Sequence, residues 1–110
     1  MTVRELIDKQ IFNVVNPGEE PDTGISTVFC CDLLSIAMGR APAGGAWVTV
    51  MANMNTLAVA ALTETACVIL AEGVVLDEGA KKKALDQGIT VLSTDLPVFE
   101  AALKVYELVS

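Results

Sequence analysis

The chain contains no histidine, so the commonest general base and metal ligand is missing from all 110 residues. Aromatic residues make up only 5%, which leaves Val, Leu, Ile and Ala to build the core. Basic residues are scarce as well: 7 Lys and Arg stand against 14 Asp and Glu, a formal net charge of −7. That balance opposes a nucleic-acid partner, because affinity for phosphates rests on basic side chains that displace counterions. The acidity is spread over loops and outward helix faces and forms no charged tail. Long hydrophobic runs are lacking too. Leu57 to Leu62 falls far short of the roughly 18 residues a membrane span needs, so no membrane partner is expected. The opening MTVRELIDKQ has no apolar stretch of the signal-peptide kind, and a cytoplasmic location is the expectation.

Three cysteines, an odd number, fit a reducing compartment better than a disulfide framework. No C-x-x-C occurs. Cys30 and Cys31 are neighbours on a strand, where side chains point to opposite faces and α-carbons sit too close for an ordinary disulfide. With the isolated Cys67 they read as buried small hydrophobes, and no metal site or cofactor is expected. The phosphate-cradling pattern G-x-x-x-x-G-K-[ST] is absent, since Gly79-Ala80-Lys81 does not have its spacing.

What is present reads as alternating helices and strands in one domain, residues 1–110. Thr2-Val3-Arg4-Glu5 is a capping box that starts a surface helix over about 3–9, with Met1 and Leu6 placed for a hydrophobic staple. A short strand over 11–15 leads into the Pro-, Gly- and acid-rich stretch 16–24, an exposed loop or a lid. Strands are expected over 27–31, 46–51, 67–71 and 89–93. Helices are expected over 33–38 (capped by Asp32, closed by Gly39), 56–65, 78–87 (capped by Asp77, stopped by Gly88) and 96–108. Thr94 or Asp95 would cap the last helix, with Pro97 in its first turn. Strands apolar on both faces and separated by helices predict an α/β fold with a mainly parallel sheet covered on both sides, the first strand pairing at an edge in either sense.

Packing expectations follow from the helix patterns. In 96–108, Phe99, Ala102, Leu103 and Tyr106 would face inward, with Glu100, Lys104 and Glu107 outward. Helix 78–87 would bury Ala80, Ala84 and Leu85 and leave Lys81, Lys82 and Lys83 in solvent; Trp47 would be core. Helices 33–38 and 56–65 are apolar nearly all round, which calls for cover on more than one side. A second copy of the chain supplies it economically, so a homodimer through Leu34, Met38, Leu57, Ala58, Ala61 and Leu62 is expected; the alternative cover is the N-terminal helix with the 16–24 loop.

Ligands of open α/β sheets bind beyond the carboxyl ends of the strands. The residues that follow the strands include Asp32, Ser35, Asn53, Asn55, Ser93, Thr94 and Asp95, a set of hydroxyls, amides and carboxylates that forms the candidate ligand site. Several of them are equally what a helix N-cap requires; Asn53 is the one capping explains least. No catalytic residue is assigned.

The runs VFCCDLLSIAMGRAPAGGAWVTVMANMNTLAVAAL, CVILAEG and ITVLSTDLPVFEAALKVYEL resemble the DRTGG domain family, itself similar to the N-terminal domain of HPr kinase/phosphorylase. The likeness rests on C-D-L-L-S ending a strand, a W-[IV]-T strand, N-x-x-A-V-A and L-S-T-D, and covers about residues 25–108. It implies a three-layer α/β/α domain with a mixed sheet of about five strands, dimerisation, and a regulatory or ligand-sensing role, often fused to CBS domains or acyl-phosphate enzymes. The family's name motif is not spelled out, Asp22-Thr23-Gly24 being its nearest approach. The kinase label attached to chains of this type is not supported, because that activity belongs to a separate domain with a phosphate loop.

The expected function is a non-catalytic regulatory homodimer that binds a small metabolite, nucleotide or partner protein. Two alternatives stand beside it. One is a minimal enzyme using Asp32, Asn53, Asn55 and Asp95 on a phosphorylated substrate or with a divalent ion. The other is a purely structural adaptor.

Overall fold

In the computed structural model, which describes residues 1–109, five helices and five strands follow one another. They are α1 (Val3–Asp8), β1 (Asn13–Asn16), β2 (Thr27–Cys30), α2 (Leu34–Arg40), β3 (Gly45–Thr49), α3 (Met54–Leu62), β4 (Cys67–Leu70), α4 (Glu78–Gln87), β5 (Val91–Ser93) and α5 (Val98–Val109). The strands form one sheet in the order β1-β5-β4-β3-β2. β2 to β5 are parallel, and β1 pairs antiparallel with β5 at one edge, its register shifting between Val14 and Asn16. The expected mixed, mainly parallel sheet of about five strands between helical layers is what the chain adopts.

The pleat divides the core in two. Ala46, Val48, Cys67, Ile69 and Leu92 point to one face, where they meet Val3 and Leu6 of α1 and Ala101, Ala102 and Val105 of α5. Trp47, Val68, Leu70 and Val91 point to the other, beneath Ala37 of α2, Leu57 and Ala60 of α3, and Ala80 and Ala84 of α4. β3 and β4 are buried throughout, which is why their sequences are continuously apolar. Cys67 lies in this interior, and burial pushes its thiol up to about 12. No helix among the described residues is long and apolar enough to cross a membrane.

Local signals at several helix ends act as expected. The Thr2 hydroxyl accepts from the Glu5 amide (3.1 Å) while the Glu5 carboxylate accepts from the Thr2 amide (3.0 Å). These bonds hold the Glu5 carboxyl below its usual range. The Asp77 carboxylate caps α4 through the Ala80 amide at 2.7 Å, and Gly88 ends the helix in the left-handed region at φ 66°. α2 runs on through Gly39, where a side chain would meet open space, and stops at Ala41 because Pro42 holds the preceding residue extended.

Three packing expectations are corrected. Along α5 the buried stripe is Ala101, Ala102 and Val105, while Phe99, Leu103 and Tyr106 are exposed. Both sets are helical stripes, and the small residues win because they let α5 approach β2 and β3 closely. Leu85 of α4 is exposed, since only the two alanines of that helix reach the core. Finally, α3 is the middle helix of its layer, flanked by α2 and α4. Its apolar character is thus met within one chain at Leu57, Val59 and Ala60, while Met54, Ala61 and Leu62 stay exposed. Leu57 is fully buried and unavailable to a dimer interface; Leu34 and Ala58 are half-buried, and Met38, Ala61 and Leu62 are exposed.

The 16–24 loop is fastened at both ends. Asn16 Nδ2 donates to Ile89 O (2.8 Å), the Gly18 amide to Thr90 Oγ1 (3.1 Å), and the Glu19 amide to Gly88 O (3.1 Å). Farther along, the amides of Val3 and Arg4 donate to Thr23 O and Pro21 O. Its hydrogen bonds run to β5, the end of α4 and α1.

Candidate functional site

The four parallel strands deliver their following residues to one edge, so the topology gathers the predicted site residues as the sequence implied. Their side chains are employed unequally. Asp32 does not cap α2, whose N-cap is Leu33 with no side-chain bond. Instead its Oδ1 accepts from the Thr49 hydroxyl (2.7 Å) and the Val50 amide (2.9 Å), tying the end of β2 to the end of β3. Thr49 is fully buried, and its oxygen also accepts from the Met51 amide at 3.2 Å. Of the cysteines expected to be buried, only Cys67 is; Cys30 on the edge strand is exposed and Cys31 half-buried, and the Cys30 thiol is pushed up first by partial desolvation and then by the Asp32 carboxylate.

Replacing Asp32 by alanine is therefore expected to cost about 2–3 kcal/mol, because it removes a charged acceptor and strands a buried hydroxyl. Asp32→Asn keeps one acceptor oxygen and is expected to cost about half as much. Urea midpoints of the two variants at a common slope check this ordering.

Asn53 turns out to be the N-cap of α3, accepting from the Thr56 amide at 3.1 Å and from its hydroxyl at 3.4 Å. Asn55, expected in that role, is an exposed first-turn residue. The two-residue difference arises because either asparagine can begin the same apolar stripe, and the buried Thr56 selects the earlier. At β5, Thr94 is buried and its hydroxyl accepts from the Leu96 amide (3.2 Å); Ser93 is half-buried and Asp95 exposed. Neither Thr94 nor Asp95 begins α5. Pro97 lies just outside the helix, and the Val98 amide donates to Glu72 Oε2 at 3.3 Å, a cap supplied from the loop after β4. Glu72 itself adopts φ 61°. Ser35 is exposed on α2.

Asp32, Asn53 and Thr94 thus brace the edge, the first two while still exposed, and Ser35, Asn55 and Asp95 face solvent along it. α2, α3, α4 and α5 all begin here, so four positive helix ends face the same side.

The larger described hollow lies elsewhere. A cleft of about 540 Å³ opens at the amino ends of the parallel strands, between the docked 16–24 loop and the carboxyl ends of α3 and α4. Glu19, Glu20 and Glu64 line it together with Thr65, Gln87 and Thr90, and no basic side chain does. Carboxylates and negative helix ends make this cleft hostile to phosphates. Sequence reasoning missed it because it depends on Gly18 meeting Thr90, 72 positions away. The nearest local signal was the pair of glycines, Gly18 and Gly88, in turns that the docking brings together.

No family model matches the chain, and no curated protein does. Among solved structures it is similar to the CBS and DRTGG domains of the regulatory region of Clostridium perfringens pyrophosphatase, complexed with the activator diadenosine tetraphosphate. The match has a TM-score of 0.74 at 15% identity and covers 98% of this chain and 47% of that one, so the present chain spans about half the length of its neighbour. The likeness supports a DRTGG-like fold. It gives no support to the relation with HPr kinase.

Proposed function

We propose that the chain is a non-catalytic, ligand-sensing regulatory domain, homodimeric and cytoplasmic, that binds a nucleotide or similar phosphorylated small molecule at the carboxyl edge of its sheet. The observation that carries this reading is the DRTGG-like fold, shared over almost the whole chain with part of a regulatory region that was crystallised with a nucleotide activator. The helix ends support the choice of place: α2, α3, α4 and α5 point their N-termini at the carboxyl edge, where they offset the carboxylates of Asp32, Glu72 and Asp95, whereas the other edge combines three glutamates with two helix C-termini. Ser35, Asn55 and Asp95 are exposed and stand ready to contact a ligand there, beside Asp32 and Asn53, which are also exposed but hold the edge together with the buried Thr94.

Thermal melting with diadenosine tetraphosphate, ATP, AMP and acetyl phosphate tests it. A member present at 100 times its dissociation constant is expected to add about 2.7 kcal/mol, roughly 10 °C for a chain of this size. Asn55→Ala with Asp95→Ala should abolish the shift without altering the melting point of the free protein. Silence from every nucleotide would sink the nucleotide reading, and chromatographic evidence of nucleotide turnover would sink the non-catalytic one.

A further inference from the structure

The sheet has two edges, and they are treated differently. β1 carries an asparagine at each end, shifts its register between Val14 and Asn16, and runs into Pro17, all devices that discourage a further strand. β2 has none of them. Its sequence, Thr27-Val28-Phe29-Cys30, is uncharged and β-prone, and its outer side has no neighbour in the sheet. The Ser26 amide donates inward to Gly44 O (2.8 Å), so alternation turns the main-chain groups of Val28 and Cys30 toward β3 and those of Thr27 and Phe29 outward.

Both flanks of this edge are apolar. On one face α5 packs over β2 and leaves a groove of about 380 Å³ between Val28, Cys30, Phe99, Ala102, Leu103 and Tyr106. Phe99 is 71% exposed and Leu103 40%. On the other face α2 is the outermost helix of its layer and exposes Ile36 and Met38, with Leu33 just before it.

We propose that the β2 edge, with the α5 groove beside it, is a self-association surface that joins two copies of the chain into one continuous sheet across a two-fold axis. The inference rests on the homodimer reading above and says where that dimer forms. Self-complementarity selects a second copy as the occupant. With Val28 facing its own equivalent on the axis, Thr27 stands opposite the partner's Phe29 in a hydrogen-bonded pair, and the reverse pair follows by symmetry. The outward groups of both strands are then satisfied in about four ladder bonds. Charge agrees with this antiparallel arrangement. α2 runs from the carboxyl end of β2 back to the level of Thr27, because the chain enters β3 at Gly45 opposite Thr27. Arg40, its basic residue, is thereby carried toward the end of the partner strand, where the partner's Asp32 lies. Size sets the extent of the interface. A stable dimer buries roughly 800 Å² per copy, about a seventh of the 5692 Å² surface of one chain. A strand edge alone does not supply that, so the α5 groove and the outer side of α2 complete it.

Light scattering on the full chain at micromolar concentration tests the proposal. The expected mass is twice the 11.6 kDa of one chain. Phe99→Glu and Leu103→Glu should each weaken association by about a hundredfold or more, since the axis applies each change twice. Thr27→Pro, which removes only an outward-facing donor on an edge strand, should do the same. Circular dichroism should show these variants folded, and Leu85→Glu on α4 should leave the dimer intact. Hydrogen exchange at the Thr27 and Phe29 amides should slow as protein concentration rises. A monomeric wild-type chain overturns this inference and the homodimer reading together. A dimer that withstands all three edge variants but falls to Leu62→Glu overturns this inference alone and returns the interface to α3.

Discussion

Replacing Trp47 by alanine is expected to leave the chain largely unfolded at 37 °C. Trp47 is the sole tryptophan, 1% exposed, and stands in a row across four strands: Phe29, Trp47, Val68 and Val91. Its ring lies 6.4 Å from that of Phe29, and its Nε1 donates to Cys31 O at 2.9 Å. Truncation therefore opens a cavity beneath α2 and α3 and removes the donor from a carbonyl at the end of β2. The cavity costs about 3–5 kcal/mol and the lost hydrogen bond about 1 kcal/mol, against a total stability of roughly 5–15 kcal/mol for a domain of this size. Trp47→Phe fills most of the space and loses the bond, so it should cost only about 1–2 kcal/mol. Urea unfolding followed by far-UV circular dichroism separates the two, since the variants have no tryptophan signal. A Trp47→Ala chain with a native midpoint would show that this face of the sheet does not hold the fold together.

That central row was readable because burial on both faces of a parallel strand leaves a continuous apolar run, and the β-branched residues Val48, Thr49, Val68 and Ile69 set these runs apart from the alanine- and leucine-rich run Leu57 to Leu62. Capping was readable where one side chain alone fitted, as at Thr2, Asp77 and Gly88. It failed where two candidates lay within a turn, as with Asn53 and Asn55. At α5 it failed because the cap comes from Glu72, 26 positions before Val98. The inward face of α5 was misjudged for a related reason. Periodicity identifies stripes but not depth, and the closeness of α5 to β2 and β3 selected Ala101 and Ala102 over the bulkier Phe99 and Leu103. The same limit applies to α3. An apolar helix requires neighbours, but only the three-dimensional order of the layer says that α2 and α4 flank it, which buries Leu57 and leaves Ala61 and Leu62 exposed. As for the candidate site, the edge to which Asp32, Asn53 and Asp95 come followed from strand order alone. The division into bracing and exposed groups required hydrogen bonds such as Asp32 to Thr49, which no local pattern announces.

The same contrast between local and distant constraint makes two glycines of one loop behave in opposite ways. A Cβ added at Gly18 would lie 2.5 Å from Thr90 Oγ1 and 2.6 Å from both Gly88 O and the Thr90 amide nitrogen. Two of these three atoms are backbone, held by the end of α4 and the start of β5, so the loop must give way rather than its neighbours. Gly18→Ala should then forfeit the bonds from the Gly18 amide to Thr90 and from the Glu19 amide to Gly88, and leave the 4%-exposed Thr90 hydroxyl without that donor. Overpacking costs about 1–3 kcal/mol and the uncoupled bonds about 1 kcal/mol, which predicts a loss of about 2–4 kcal/mol. Gly24, six positions on, would place its Cβ in open space. Gly24→Ala should be neutral or stabilising by up to about 1 kcal/mol, because it restricts the unfolded chain. Paired melting curves read the difference, and limited proteolysis should nick the 17–23 segment in Gly18→Ala well before any core strand. Because this loop forms one wall of the amino-edge cleft, its release would open that cleft while leaving the carboxyl edge untouched. A nucleotide-induced melting shift that survives in Gly18→Ala would therefore place the ligand at the carboxyl edge, and one that disappears would place it against Glu19 and Glu20 instead.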